Sequence, residues 1–221
     1  MRFWGILALG LVGAGILVSL GIWQVQRLAW KQDVLAKISE QISSDPIALP
    51  QAVSEDQDEF RPVVVQGQFV GDTVRVLVSQ KLYGAGYRLI AAFDTGARRV
   101  LVDRGFVSVN DPLPSLPSDV GTIVGNLHWP NEVDSFTPEN DLVANMWFAR
   151  TVPDLAAHLQ SDPVLIIRGG GSLADPGVTP LPVTTDRIPN NHLNYAITWF
   201  LLALIWLGMT GYFLYRTRHT A

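Results

Sequence analysis

Two long apolar runs lie near the ends of this chain, and a pattern of shorter apolar runs fills the middle. Residues 3–23 and residues 193–214 contain no Asp, Glu, Lys or Arg. A helix of about 20 apolar residues crosses a hydrocarbon core of about 30 Å. The pattern therefore predicts two transmembrane helices, one over 3–23 and one over 193–214.

The first run could also be a signal peptide, whose apolar region usually extends over about 7–15 residues. The run 3–23 is longer, and no small-residue cleavage site separates it from the charged segment that follows. We therefore interpret it as an uncleaved anchor. Apolar residues continue at helical spacing after Trp23, which predicts a helical extension over 24–43.

Small residues recur on one face of each apolar run. A stripe of small residues lets another helix approach closely, so the two helices should pack together or onto the helices of a partner. These residues are Gly10, Ala14, Gly21, Ala196, Ala203, Gly208 and Gly211.

Between the two helices, from Phe60 onward, short runs rich in Val, Ile and Leu alternate with turn residues, as is typical of strands. The predicted strands are 62–70, 73–80, 87–94, 98–109, 121–129, 145–150 and 163–169, with turns at Gly71, Gly84–Gly86 and Gly96. A two-turn helix is predicted over 152–160, and 44–59 is predicted to be a loop. This pattern indicates an α+β external domain over 44–191, built on an antiparallel sheet that could close into a barrel.

The charged residues indicate how the chain would lie in a membrane. All 20 Asp and Glu residues lie within 32–191, whereas five of the 16 Lys and Arg residues, Arg2 among them, flank the apolar runs. Because short basic tails prefer the cytoplasm, we expect cytoplasmic termini and a periplasmic middle domain. The Arg-rich leader of a mitochondrial precursor is not seen before the first run, which favours a bacterial plasma (inner) membrane.

Three residues that follow the first run are candidates for contact with membrane lipid. Trp23 is of a type that favours the membrane interface, and Arg27 and Lys31 are helix neighbours at i and i+4 near the headgroups. The cationic ends of Arg27 and Lys31 could extend to the lipid headgroups or contact another part of the protein.

Composition argues against several classes of function. An acidic middle domain disfavours nucleic acid as a partner. The chain has no Cys, which rules out disulfides, thiolate chemistry and Cys-based zinc sites. The acidic cluster at 55–59 fits a solvated charge run better than a metal site. No catalytic motif is recognised, and we expect His128 and His158 to be structural or exposed, so no enzyme is predicted.

His192 is the residue best suited to bind a cofactor. It stands at the start of the second apolar run, and Tyr195, Trp199 and Trp206 follow at i+3, i+7 and i+14 on the same face of the predicted helix. An imidazole above an aromatic face could ligate a metal or a planar cofactor. Because Trp and Tyr favour membrane interfaces, anchoring is the alternative role of the aromatic residues.

Five motifs occur in a recognisable order: WQVQRLAWK at 23–31, FRPV at 60–63, VDRGFV at 102–107, FTPEN at 136–140 and NHLNYAITWF at 191–200. In this order they resemble the surfeit locus protein 1 family, which assists the assembly of haem a-containing cytochrome c oxidases. The resemblance covers nearly the whole chain. Two departures are Phe106, where family members usually have Trp, and the lack of an arginine that is often found near His128.

The resemblance implies an assembly factor, not an enzyme, that binds haem a transiently and passes it from haem a synthase towards cytochrome c oxidase subunit I. It also implies that His192 ligates the haem iron, with Tyr195 and Trp199 on the same helical face. The competing hypothesis is a membrane-anchored scaffold or sensor that acts through its external domain without binding haem.

Overall fold

The computed structural model of the chain describes residues 2–186 and 188–219, without the side chains of Arg2 and His219. The side chain of Arg2, on which the predicted orientation partly rests, therefore lies outside the described part.

Two compact units divide the chain. The first consists of Met1–Lys37 and Thr185–Ala221, and the second is Ile38–Thr184. The sequence predicts an external domain over 44–191, and most of that range lies in the second unit. In the described residues the elements follow one another as α1 (Arg2–Ile42), β1 (Ile47–Ala48), α2 (Glu55–Asp58), β2 (Pro62–Gln80), β3 (Gly84–Asp94), β4 (Arg99–Ser108), β5 (Gly121–Leu127), β6 (Met146–Trp147), α3 (Val152–Leu159), β7 (Leu165–Gly170) and α4 (His192–His219).

The first unit is built from α4 and most of α1. Both helices are long and apolar enough to cross a membrane, over Phe3–Ile42 and His192–Arg218, by length and composition. α1 continues without a break from the apolar run 3–23 into the charged segment that follows it. The chain thus has an apolar helix toward each end, and the sheet-bearing unit lies between them in the sequence.

Small residues of α1 allow α4 to lie against it. A Cβ added to Gly10 would lie 2.2 Å from Thr210 Cγ2, and one added to Gly21 would lie 2.6 Å from the ring of Phe200. The contacted residue moves toward the start of α4 as the glycine moves toward the end of α1. The two helices therefore run antiparallel.

In the second unit, β2 is one long strand where the sequence predicts two. The predicted strands 62–70 and 73–80 both lie within it, and Gly71 is an irregularity inside the strand instead of a turn. Gly71 has a φ of +71°, and the register with β3 shifts between Val70 and Thr73. Glycine tolerates a positive φ because it lacks a Cβ, and a bulge bends a strand. The bent β2 pairs first with β5 and then with β3.

The sheet is mixed. The pairs β2–β3, β3–β4, β2–β5 and β5–β7 are antiparallel, whereas β1–β2, β2–β6 and β4–β7 are parallel. The prediction of an antiparallel sheet is therefore correct for the longer pairings and wrong for the others. The strand order is β1-β2-β3-β4-β7-β5, and β5 also pairs with β2.

Several smaller elements differ from the prediction. The predicted helix 152–160 is confirmed as α3, and the predicted turn at Gly96 lies between β3 and β4. The predicted turn at Gly84–Gly86 is wrong, because those residues belong to β3 and the turn is formed by 81–83. The segment predicted as a loop, 44–59, contains β1 and α2.

The core lies on both sides of the sheet, as β4 illustrates. Val100 and Val102 belong to one cluster of buried apolar residues, and Leu101 belongs to a second cluster. Successive side chains of a strand point to opposite faces, so a strand buried on both faces has a nearly continuous apolar sequence. The second cluster also contains Leu155 and Ala156, by which α3 covers this face of the sheet.

Candidate functional site

His192, the candidate ligand, is the first residue of α4 and is half-buried. Its Nδ1 lies 2.8 Å from Oε1 of Gln24, a side chain on α1 that is only 9% exposed. An amide oxygen can only accept a hydrogen bond, so in this arrangement Nδ1 of His192 donates it. Among the described residues, Nδ1 of His192 has a hydrogen-bond partner and Nε2 has none.

The aromatic residues predicted beside His192 have different environments. Tyr195 is 56% exposed and Trp199 is half-buried, and the helical geometry of α4 places both on the His192 face. Trp206, farther along the helix, donates a hydrogen bond from its indole Nε1 to the carbonyl oxygen of Gly10 at 3.0 Å. Tyr195 and Trp199, which lie near His192, are thus at least partly accessible, whereas Trp206 contacts α1.

The three residues predicted to meet lipid lie on α1. Trp23 is 52% exposed, and the guanidinium of Arg27 lies 3.9 Å from the centroid of the Trp30 ring. Lys31 donates a hydrogen bond from Nζ to the carbonyl oxygen of Pro189, three residues before His192. Lys31 thus contacts the segment that leads into α4, and its contact with lipid stays a prediction.

Gln24 is the residue of this site that sequence reasoning missed. It belongs to the motif WQVQRLAWK, which was used only to recognise the family. A buried glutamine needs a hydrogen-bond partner, but a single uncharged polar residue at the end of an apolar run does not reveal which one. The antiparallel pairing of α1 and α4 supplies the partner.

The second unit holds a cluster of four charged side chains around Asp103, which is fully buried, and Glu132 is its exposed member. Arg88 donates a hydrogen bond from Nε to Asp103 Oδ2 at 2.5 Å, and Arg150 Nη1 lies 3.4 Å from the same oxygen. Arg150 also donates to Glu132 from Nε at 3.1 Å. The buried carboxylate of Asp103 therefore has two cationic partners, as a buried charge requires.

Mutual contact shifts the pKa values of two members of this cluster. Burial raises the pKa of the Glu132 carboxyl, but hydrogen bonds from Arg150 and its positive charge outweigh this and hold the pKa below its ordinary value. Burial lowers the pKa of the Arg150 guanidinium, but its bonds to Glu132 and the charge of Asp103 raise the pKa above its ordinary value. Both groups are therefore charged near neutral pH.

A second buried ion cluster lies next to the first in sequence. Arg104, fully buried, donates from Nε and Nη2 to the two carboxylate oxygens of Asp175 at 2.8 and 2.7 Å. Arg168 Nη1 donates to the same carboxylate at 3.1 Å. The motif VDRGFV therefore contributes one residue to each cluster, Asp103 to the first and Arg104 to the second, and both side chains are fully buried.

The remaining candidates of the second unit are structural. His128 Nδ1 lies 2.5 Å from Glu59 Oε1, and His158 meets the ring of Trp147 edge to face. Asp58 is buried and accepts a hydrogen bond from Arg61 at 2.6 Å. The expectation of a solvated charge run over 55–59 is therefore wrong for its last two residues, which hold their neighbours in place.

Among the described residues there is no group of three or more His, Asp or Glu side chains that could hold a metal ion. A haem iron can be held by a single protein imidazole, and His192 would supply that ligand. His192 therefore fits such a group by the chemistry of its donor atom, and the accessible face with Tyr195 fits an apolar ring.

Comparison with known proteins gives the family. Residues 11–204 match the SURF1 family. The SURF1-like protein of Monosiga brevicollis is 29% identical, and the aligned region covers 94% of this chain and 85% of that protein. The SURF1-like protein of Rickettsia prowazekii (strain Madrid E) is 30% identical over 91% of this chain and 85% of its own length. Surfeit locus protein 1 of Rattus norvegicus is 28% identical over 82% and 67%. The chain belongs to the SURF1 family.

Proposed function

We propose that this protein assists the assembly of a haem a-containing cytochrome c oxidase by binding haem a at His192 and passing it towards oxidase subunit I. Membership of the SURF1 family supports the role in oxidase assembly. The observation that carries the haem site is the ring of His192, whose Nδ1 bonds to Gln24 and whose Nε2 has no hydrogen-bond partner among the described residues. Haem a synthase would be the donor of the cofactor.

The residues around His192 would have different roles in binding haem. When bound, haem would supply an iron that the imidazole of His192 ligates. Tyr195 and Trp199 would border the macrocycle on the same helical face, and the apolar side chains of α4 would keep water from it. Gly10 and Gly21 hold α1 against α4 and so keep Gln24 beside the imidazole.

The proposal includes a bacterial plasma membrane as the location, with both helices spanning it. Antiparallel helices bring the two termini to one side, which we take to be the cytoplasm, and the second unit would then be periplasmic. The length and composition of α1 and α4 and the similarity to a Rickettsia protein support this arrangement. Trp23, Arg27, Lys31 and the start of α4 would meet membrane lipid at the periplasmic interface.

Purification after co-expression with the enzymes of haem a synthesis tests the function. The full chain is isolated in detergent, and its visible spectrum and haem-to-protein ratio are compared with those of His192→Ala. We expect haem a in the native chain and a sharp loss in the variant. If His192→Ala binds as much haem as the native chain, another residue is the ligand. If the native chain contains no haem although the cells contain haem a, the protein is not a haem carrier.

The scaffold hypothesis is supported by exposed apolar residues of the second unit. Phe136 is 90% exposed, in a turn that the side chain of Asp134 organises by accepting a hydrogen bond from the Phe136 N–H at 2.8 Å. A solvated aromatic ring on an ordered turn is suited to contact a partner protein. Normal oxidase assembly with His192→Ala and defective assembly with Phe136→Ala would favour this alternative.

A further inference from the structure

Gln24 holds the imidazole of His192 from one side. The two side chains belong to different helices of the first unit, and their polar atoms lie 2.8 Å apart. Gln24 is buried although it is neutral and polar, so its amide oxygen depends on this contact for a partner. The contact fixes both the orientation of the ring and the position of its proton.

The position of the proton decides which nitrogen can ligate a metal. A neutral imidazole carries one proton, and the nitrogen without it has the lone pair. When Nδ1 donates to the oxygen of Gln24, the lone pair is on Nε2, at the opposite side of the ring. Metal-binding histidines usually donate their second ring N–H to an acceptor in this way, which fixes the tautomer and makes the ligand more basic.

We propose that Gln24 is the positioning residue of the haem site, which holds His192 as the Nδ1–H tautomer and directs Nε2 toward the iron. This inference rests on the proposed function for the identity of the metal. Gln24 does not touch the cofactor; it acts through the ring of His192.

The chain itself offers a matched control. Gln26 lies two residues beyond Gln24 on α1 and is exposed. A substitution there changes the same helix at a position that does not contact His192. Gln24→Leu removes the acceptor and puts an apolar side chain of similar size in its place. Gln24→Glu keeps an acceptor at nearly the same place. Gln26→Leu reproduces the chemical change at the exposed position.

The first measurement needs no cofactor. The full chain is prepared in detergent with nitrogen-15-labelled histidine, and the signals of His192, one of four histidines, are identified by their loss in His192→Ala. The shifts of the two ring nitrogens show which one carries the proton. We expect the Nδ1–H form in the native chain and in Gln26→Leu, and a change toward the Nε2–H form in Gln24→Leu.

The second measurement is haem binding by the same variants after co-expression with the enzymes of haem a synthesis. Loss of a hydrogen-bond partner behind a metal ligand typically weakens metal binding about 10- to 100-fold, and we expect a loss of this size for Gln24→Leu. Gln26→Leu should retain haem. Gln24→Glu should also retain it, with a lower reduction potential, because a carboxylate makes the imidazole a stronger electron donor.

Three outcomes would overturn the positioning role of Gln24 and leave the proposed function unchanged. They are native haem content in Gln24→Leu, an equal loss in Gln24→Leu and Gln24→Glu, and an unchanged tautomer in Gln24→Leu. A native chain that binds no haem would refute the proposed function and, with it, the role of Nε2 toward iron. The nitrogen shifts would in that case still decide whether Gln24 sets the tautomer of His192.

Discussion

The indole Nε1 of Trp206 donates a hydrogen bond to the carbonyl oxygen of Gly10 at 3.0 Å, and this bond joins α4 to α1. A Cβ added to Gly13, one turn farther along α1, would lie 2.5 Å from the same indole nitrogen. The bond therefore forms only because position 13 has no side chain.

The first prediction concerns this contact. Gly13→Ala should displace the indole of Trp206 and lower the thermal unfolding temperature of the chain in detergent, at a cost of about 1–3 kcal/mol for the overpacked position. Gly15→Ala is the control, since a Cβ there meets no atom within 4 Å. Alanine favours helix over glycine by up to about 1 kcal/mol, so the control should be neutral or stabilising. Equal unfolding temperatures for the two variants would contradict the packing.

The small residues show what a sequence can and cannot predict about such a contact. The stripe on α1 is predicted from spacing, and Gly10 and Gly21 do meet α4. Gly208 and Gly211 of α4 are equally small, yet a Cβ on either would meet no atom within 4 Å. A small residue permits close approach, but large partners such as Thr210 and Phe200 decide where the helix lies.

A second prediction concerns the buried carboxylate of Asp103. Asp103→Asn removes the charge that compensates Arg88 and leaves that guanidinium buried beside a neutral amide. Breaking a buried ion pair in this way typically costs about 3–5 kcal/mol, and chemical denaturation of the full chain should report it. Asp162→Asn serves for comparison, because the Asp162 side chain is 47% exposed and lies 3.7 Å from Arg98. An exposed pair is worth less than about 1 kcal/mol.

A third prediction follows from the lowered pKa of Glu132. A carboxyl whose pKa is lower in the folded state stabilises that state above its unfolded pKa, and the stabilisation is lost as the pH falls through the folded value. The native chain should therefore have a higher unfolding temperature than Glu132→Gln near neutral pH. The difference should shrink as the pH falls below the ordinary pKa of a glutamate side chain, about 4.3. A difference that stays constant down to the pH at which Glu132 is protonated would show that its charge is not involved.

Much of the second unit follows from local pattern, but the pairing of its strands does not. The strands β3, β4, β5 and β7 lie where runs of Val, Ile and Leu predict them. The parallel pair β4–β7 is not predictable from those runs, because it joins residues such as Leu101 and Leu165 that are far apart in the chain. The partner of Gln24 was missed for the same reason. Local pattern predicts elements, whereas their pairing depends on packing between distant segments.

The last prediction tests the forked contact between Arg104 and Asp175. Arg104 binds both carboxylate oxygens through Nε and Nη2, and Nη2 also donates to the carbonyl oxygen of Ser115 at 2.9 Å. Lysine has a single ammonium group and cannot reproduce this geometry, so Arg104→Lys should leave part of a buried carboxylate unsatisfied. Hydrogen bonds to charged groups contribute about 1.5–3 kcal/mol each, which predicts a loss of about 3 kcal/mol in the free energy of unfolding.

Arg99→Lys is the matched control for this substitution. Arg99 is about half exposed and its Nε lies 3.7 Å from Asp94, so its replacement should change stability by no more than about 0.5 kcal/mol. Denaturant titration of both variants with the native chain, under one detergent condition, measures the difference. If Arg104→Lys unfolded at the same denaturant concentration as Arg99→Lys, the fork would be dispensable, and Arg168 alone would suffice to hold Asp175. We expect Arg104→Lys to be less stable than Arg99→Lys because of the lost forked geometry, since both variants keep the positive charge.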